Sequence, residues 1–158
     1  MKKVKDFMRC DVFFVKPDHS VFDVARVFSQ NNISGAPVVD NCKVVGVVSV
    51  SDIISFLNIR LSDGEVITHE PQSLSLLLLN IVKMGKDFID FKKHLDKISK
   101  TQVKHMMSKK VVSVSSDTTL FEAAKIMEKY AVNRLPVVED GKLIGIIARA
   151  DLIRALVA

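Results

Sequence analysis

Hydrophobic positions follow the same order in two stretches of the 158-residue chain. The stretches Val4–Leu57 and Val103–Leu156 align without a gap at an offset of 99 residues. Each has a short β-rich run, at Val12–Val15 and Val111–Val114, followed by apolar residues at i, i+3, i+4 and i+7, which predicts a strand and then an amphipathic helix. A fixed period with a preserved apolar pattern indicates one supersecondary unit that is used twice.

Two further strands and a second helix complete each predicted unit. A strand opens at a proline, a tight polar turn joins it to the next strand, and the last helix follows at once. The equivalent positions are Pro37 and Pro136, Val44–Ser49 and Leu143–Ala148, and Ser51 and Ala150. We therefore predict an α/β (α+β) fold of two pseudo-symmetric repeats, each strand-helix-strand-strand-helix.

Polar residues mark the ends of these elements. Ser20 with Asp23, and Thr119 with Glu122, have the hydroxyl-to-carboxylate spacing of a capping box at the start of a helix. The pair Asp140 and Gly141 favours a two-residue hairpin turn.

The segment between the repeats has a pattern of its own. Its apolar residues are spaced alternately by three and four, which predicts a helix with an apolar seam. They are Leu74, Leu77, Ile81, Met84, Phe88, Phe91, Leu95 and Ile98. Two interpretations stay open: a helix packed on the protein's own body, or one that associates with itself or a partner. The predicted division is 1–60 for repeat 1, 61–102 for a helical linker and 103–158 for repeat 2.

Composition and charge narrow the function classes. The net charge of +5 is mild, and the basic residues are interspersed with acidic ones, so nucleic acid is not an expected partner. Cys10 and Cys42 are the two cysteines, and neither they nor the four histidines have metal-ligand spacing. The N-terminus lacks a signal-peptide pattern, and no apolar run is long enough to span a bilayer. We expect a cytoplasmic protein without a metal site or a membrane partner.

Candidate chemistry lies at the start of the last helix of each repeat. Catalytic and phosphate-loop motifs are absent from the sequence, and no catalytic residues are predicted. Repeat 1 has GVVSVSD, ending at Asp52, and repeat 2 has GIIARAD, ending at Asp151. A helix N-terminus favours anions, and a first-turn carboxylate can accept hydrogen bonds from the vicinal hydroxyls of a ribose. The alternative is structural, because Ser49 and Asp52 also have capping-box spacing.

The two motifs together resemble a known family. Duplicated units with a P-V-V strand before G-h-h-(S/T)-x-x-D, where h is an apolar residue, look like a pair of CBS domains, a Bateman module. The resemblance covers both repeats and leaves out the linker. It implies a regulatory module that is not an enzyme, requires no cofactor, binds an adenosine ligand such as AMP, ADP, ATP or S-adenosylmethionine as effector, and forms a homodimer that acts on a protein partner.

Carried over from the family, each cleft combines residues of both repeats. The stronger predicted site consists of Ser49, Ser51, Asp52, Val112, Val132, Asn133 and Arg134. The weaker second site contains Ile33, Arg149 and Asp151, beside Phe13, Ser34, Gly35, Ala148 and Ala150. It has lost both hydroxyls, and Gly35 stands where the stronger site has Arg134. Asp52 is therefore predicted to contribute to phosphate-bearing ligand binding more than Asp151.

Three functions remain as hypotheses. The first is a module that senses an adenine nucleoside or nucleotide and acts through a partner. The second is a structural dimerisation module that binds no nucleotide. The third, an enzyme acting on the bound nucleotide, is disfavoured because the predicted clefts hold no base or nucleophile besides the aspartate.

Overall fold

The structure, a computed structural model, describes residues 1–61, 93 and 96–158. These residues form two compact units. The first comprises Met1–Lys16, Pro37–Val47 and Ser108–Ala158, and the second comprises Pro17–Ala36 and the described part of Val48–Met107. The helices are α1 (Val21–Asn31), α2 (Val50–Leu61), α3 (Leu120–Lys129) and α4 (Arg149–Val157), with 3₁₀ turns at Val4–Asp6 and Val103–His105. The strands are β1 (Gly35–Asp40), β2 (Lys43–Ser49), β3 (Arg134–Glu139) and β4 (Lys142–Ala148).

These elements follow the predicted order, and the starts of the hairpin strands and of the last helices agree with the prediction to within two residues. The four strands form a sheet of order β1-β2-β4-β3, most of which lies in the first unit. β3 and β4 pair antiparallel from Arg134 opposite Ala148 to Glu139 opposite Lys142. β2 and β4 pair antiparallel where Lys43 faces Lys142. The mixed helix-and-sheet fold class is confirmed.

The predicted first strand of each repeat is reduced to a single parallel bridge, Val15 with Val38 and Val114 with Val137. In repeat 1, Val15 N–H donates to the carbonyl of Pro37 at 3.0 Å, and Val39 N–H donates to the Val15 carbonyl at 2.8 Å. The next bond toward the N-terminus would need an N–H on Pro37, which proline lacks. Pro136 occupies the same register in repeat 2, so the parallel pairing stops at the same point in both copies.

The N-terminal arm of the chain, residues 2–9, packs within the first unit. Val4 is fully buried in a core with residues of repeat 2 that include Met127, Leu135 and Ile147. The Val4 and Lys5 amides donate to the carbonyls of Thr118 and Ser116. The arm thus belongs to the core built around α3, β3 and β4.

The second unit contains the counterpart of this arm. Val103, 99 residues after Val4, is also fully buried, and its amide donates to the carbonyl of His19 at 2.8 Å. The chain is helical at residues 96–99, where Ile98, the last position of the apolar seam, is buried. The prediction of a helix over the rest of that seam lies outside the described residues, except for Lys93, which is helical.

Both hairpin turns place two residues in the left-handed region. Asn41 and Cys42 have φ of 48° and 67°, and Asp140 and Gly141 have φ of 49° and 78°. The turn predicted from Asp140 and Gly141 is therefore present, and repeat 1 makes the same turn with a cysteine where repeat 2 has glycine.

Candidate functional site

The Asp52 end of the second unit is a reciprocal helix cap. One carboxylate oxygen of Asp52, Oδ2, accepts from the Ser49 amide and from Ser49 Oγ, both at 2.8 Å. The Asp52 amide donates back to Ser49 Oγ at 3.2 Å. The capping box that the spacing of Ser49 and Asp52 predicts is thus observed. Among the described residues no donor is bonded to the other oxygen, Oδ1, so this half-buried carboxylate keeps lone pairs that a ligand hydroxyl can use.

The loop before β1 lies beside this cap in the same unit. The Val50 amide donates to the Ser34 carbonyl at 2.9 Å, which holds Ile33 to Gly35 next to the start of α2. A side chain added at Gly35 would lie 3.2 Å from the Val48 carbonyl oxygen, so the close approach favours glycine. Beside the cap is an open pocket of about 460 Å³. It is lined by Ala25, Phe28, Ser29, Asn32, Ile33, Ser34, Val50 and Ile53.

The Asp151 end of the first unit is built differently. Asp151 is 1% exposed, and its Oδ2 accepts from the Ala148 amide at 2.9 Å, as in a helix cap without the hydroxyl. Its Oδ1 accepts from the Arg154 guanidinium at 2.9 Å and lies 3.5 Å from Arg9 Nε. Both oxygens therefore have protein partners, and two cations compensate the carboxylate charge.

Other predicted residues divide between the two units. Ser49, Ser51 and Asp52 lie in the second unit, whereas Val112, Val132, Asn133 and Arg134 lie in the first. The predicted grouping of Asp52 with Arg134 therefore stays a prediction. Within the first unit, Arg134 pairs with Ala148, and the Arg149 amide donates to the Asn133 carbonyl at 3.0 Å. Val112 and Val132 are half-buried and pack on the hydrophobic core.

The sequence interpretation missed Arg9 and Arg154 as partners of Asp151. The sequence does single out both arginines, because the other copy of the repeat has a small uncharged residue at each position. Ser108 corresponds to Arg9, and Ser55 corresponds to Arg154. Arg154 also stands three residues after Asp151, which places the two side chains on one face of α4. Comparing the repeats for charges that occur in one copy alone would have found this cluster.

An apolar groove of about 690 Å³ runs between α3 and α4 in the first unit. Phe121, Ile153 and Leu156 in its lining are 65%, 63% and 80% exposed, which is unusual for side chains of this size. An exposed apolar patch of this kind is typical of a surface that another element or chain covers. No described helix is long and apolar enough to cross a membrane.

Comparison with known proteins identifies the duplicated unit. The family model of the CBS domain matches residues 4–59 and 103–158. The protein MJ1426 of Methanocaldococcus jannaschii is 40% identical over 98% of this chain and 90% of its own length. The chloroplastic CBS domain-containing protein CBSX2 of Arabidopsis thaliana is 33% identical over 96% of this chain, which spans 62% of the relative.

Solved structures agree with the fold. The crystal structure of CBSX2 in complex with AMP superposes with a TM-score of 0.69 at 30% identity, covering 99% of this chain and 97% of that one. The CBS domain pair of MJ0100 superposes with a TM-score of 0.65 at 20% identity, over 99% and 96% of the two chains, and supports the fold alone. The chain belongs to the CBS domain family and carries two CBS domains in tandem.

Proposed function

We propose that this protein is a regulatory module that binds an adenosine-containing ligand at the Asp52 end and relays its occupancy to a protein partner. The observation that carries the proposal is the geometry of Asp52. Its Oδ2 is used by the helix cap, and its Oδ1 has no partner among the described residues. A carboxylate held rigidly in this way can accept from a ribose hydroxyl without giving up its structural bonds.

The family relationship supports the choice of ligand class. CBSX2, which is 30% identical over nearly the whole chain, was crystallised with AMP. In this chain the positive end of the α2 dipole and the Ser51 hydroxyl add groups suited to a phosphate. Arg134, carried over from the family resemblance, is the proposed basic contact to that phosphate.

A thermal-shift experiment tests the proposal. Purified protein is heated with AMP, ADP, ATP, S-adenosylmethionine or methylthioadenosine, with GMP as a control for the base. A ligand at 100 times its Kd adds about 2.7 kcal/mol of stability, which raises Tm by several degrees. We expect at least one adenosine compound to raise Tm while GMP does not. No shift with any adenosine compound contradicts the proposal.

We propose further that the protein is not an enzyme and acts as a homodimer. Close relatives such as CBSX2 are named for their CBS domains alone. The groove between α3 and α4 supports dimerisation because its exposed Phe121, Ile153 and Leu156 need cover. The same groove favours the second candidate function, a structural dimerisation module that binds no nucleotide. Incubation with ATP followed by analysis of the products tests for turnover, and we expect none.

The free thiols bear on the proposed location. Cys10 and Cys42 are both exposed and unpaired in a disulfide. Exposed thiols fit a reducing compartment, and we propose the cytoplasm. The chloroplastic relative CBSX2 shows that family members also occur in an organelle.

A further inference from the structure

We propose that Asp151 anchors the N-terminal arm and does not bind ribose, so that each chain binds one adenosine ligand, at Asp52. The part that concerns the arm stands on contacts within the first unit. The part that concerns ligand number rests also on the proposed function.

The arm reaches Asp151 through two arginines. Arg9, at the end of the arm, forms two backbone hydrogen bonds with Ile146 of β4, both at 2.9 Å, and its Nε lies 3.5 Å from Asp151 Oδ1. Arg154 donates to the same carboxylate oxygen at 2.9 Å and to the carbonyl of Phe7 in the arm at 3.1 Å. Asp151 therefore holds the arm directly through Arg9 and indirectly through Arg154.

The burial of Asp151 makes its contacts with the two arginines important for stability. Asp151 is 1% exposed, and a buried carboxylate without partners is strongly destabilising, so the two cations are needed for its charge to remain inside the fold. Arg9 and Arg154 are 63% and 54% exposed in their side chains. Both guanidinium groups are thus partly exposed, whereas the carboxylate that they neutralise is inaccessible to a ligand hydroxyl as long as the arm is in place.

Close packing of the arm on β4 supports the same assignment. A side chain added at Gly145 would lie 2.7 Å from Met8 Sδ and 3.1 Å from the Arg9 carbonyl oxygen. Lys2 Nζ donates to the Ala155 carbonyl near the end of α4 at 2.7 Å. The arm consequently contacts α4 near both ends, with the Asp151 cluster near the start and Lys2 near the end.

The first repeat lacks these cations. The positions equivalent to Arg9 and Arg154 are Ser108 and Ser55, and the hydrogen bonds of Asp52 are to Ser49 alone among the described residues. The two family aspartates therefore have different chemistry. Asp52 retains an oxygen for a ligand, and Asp151 uses both oxygens within the protein.

Amide hydrogen exchange on the ligand-free protein tests the arm. Asp151→Asn keeps an acceptor for the Ala148 amide but removes the charge that holds the arginines. We expect exchange at the Val4, Lys5 and Arg9 amides to accelerate at least about tenfold, because hydrogen bonds to charged groups are among the strongest in proteins. The Val103 amide, in the equivalent arm of the second unit, serves as the internal control and should keep its rate.

Arg9→Gln is the second variant, since Arg154 still donates to the Asp151 carboxylate when the Arg9 guanidinium is removed. It should accelerate exchange at the same three amides, Arg9→Lys should restore most of the protection, and the double variant with Asp151→Asn should exchange no faster than Asp151→Asn alone. Unchanged exchange of the arm in both single variants overturns the assignment.

Calorimetry with AMP tests the number of ligands. We expect one AMP per chain in the wild type and in Asp151→Asn, with affinities within about twofold of each other. Two AMP per chain in the wild type, or at least tenfold weaker binding in Asp151→Asn, overturns this part. Absence of binding of AMP and of every other adenosine compound in the thermal-shift series would refute the proposed function, and the exchange result would still decide the role of the arm.

Discussion

Cys42 is a residue whose backbone conformation conflicts with its side chain. Its φ of 67° lies in the left-handed region, where a side chain costs about 1–2 kcal/mol and glycine costs nothing. The second repeat has Gly141 at the equivalent position, with φ of 78°. The second repeat thus has, at the equivalent position of the turn, the residue that adopts this conformation without strain.

We predict that Cys42→Gly raises the free energy of unfolding by about 0.5–1 kcal/mol, since the relief of backbone strain is partly offset by the entropy that glycine adds to the unfolded chain. Urea denaturation under reducing conditions measures the change. Gly141→Ala is the matched control and should lower stability. An unstable Cys42→Gly variant would show that the thiol makes a stabilising contact of its own.

Asp117 carries the clearest perturbed pKa among the described residues. Hydrogen bonds from the Lys3 and Lys5 ammonium groups, at 2.8 and 2.9 Å, lower the pKa of its carboxyl to about 2. Since the folded value is below the unfolded one, this stabilisation is present above about pH 4 and disappears as the pH falls through 2.

We predict that Asp117→Asn makes the loss of stability between pH 4 and pH 2 less steep than in the wild type. Urea midpoints measured across this range give the result. Because the three side chains are largely exposed, salt at about 1 M should reduce the difference between the two proteins. Parallel pH profiles at low salt would contradict the role of these ion pairs.

Sequence reasoning at the residue scale succeeded where the interaction is local. The boxes of Thr119 with Glu122 and of Ser49 with Asp52 are both present, because three residues of separation determine the contact. At Ser20 the serine accepts from the Asp23 amide, while the Asp23 carboxylate pairs with Arg26. The Arg9 contact of Asp151 was missed because Arg9 is distant in sequence and its position depends on the fold. The Arg154 contact was also missed, although its separation of three residues is local.

At the scale of elements, close packing of the N-terminal arm on β4 depends on Gly145. A methyl group there would meet Met8 Sδ at 2.7 Å and the Arg9 carbonyl oxygen at 3.1 Å. The methionine can move, but the Arg9 carbonyl is held by its backbone hydrogen bond from Ile146.

We predict that Gly145→Ala lowers the free energy of unfolding by about 1–3 kcal/mol, the usual cost of an added group in a packed site. Denaturation by urea measures this cost. Adding Met8→Ala to the same chain removes the closer clash and should recover part of the loss. Full stability of Gly145→Ala would mean that the arm shifts freely on β4.

The pattern of apolar residues predicted the hairpins and helices well because each repeat has strong periodicity and clear turn residues. It overextended the first strand of each repeat, since Val12–Val15 and Val111–Val114 have the composition of a strand. Whether such a run forms a ladder depends on the N–H groups of its neighbour, and Pro37 and Pro136 interrupt that neighbour. Only the fold shows which strand lies next to each run, and therefore where the parallel pairing has to stop.

At the scale of the whole molecule, the groove between α3 and α4 leads to a prediction about assembly. We expect light scattering at micromolar concentration to give twice the 17.6 kDa of one chain. Ile153→Lys places a charge on the exposed face of the groove and should shift the mass toward 17.6 kDa. Val50→Lys, in the pocket beside the Asp52 cap, is the matched control for an added surface charge. A wild type that is monomeric throughout contradicts the homodimer.

Ligand sensing at Asp52 is the central claim, and calorimetric titration of AMP into the wild type and Asp52→Ala tests it most directly. We predict saturable binding to the wild type and at least about tenfold weaker binding to Asp52→Ala, because hydrogen bonds to a charged group contribute about 1.5–3 kcal/mol each. The Tm of both proteins without ligand is recorded, so that loss of the helix cap is separated from loss of the ligand contact. AMP binding of equal affinity in the two proteins, or binding of no adenosine compound to the wild type, would contradict the claim.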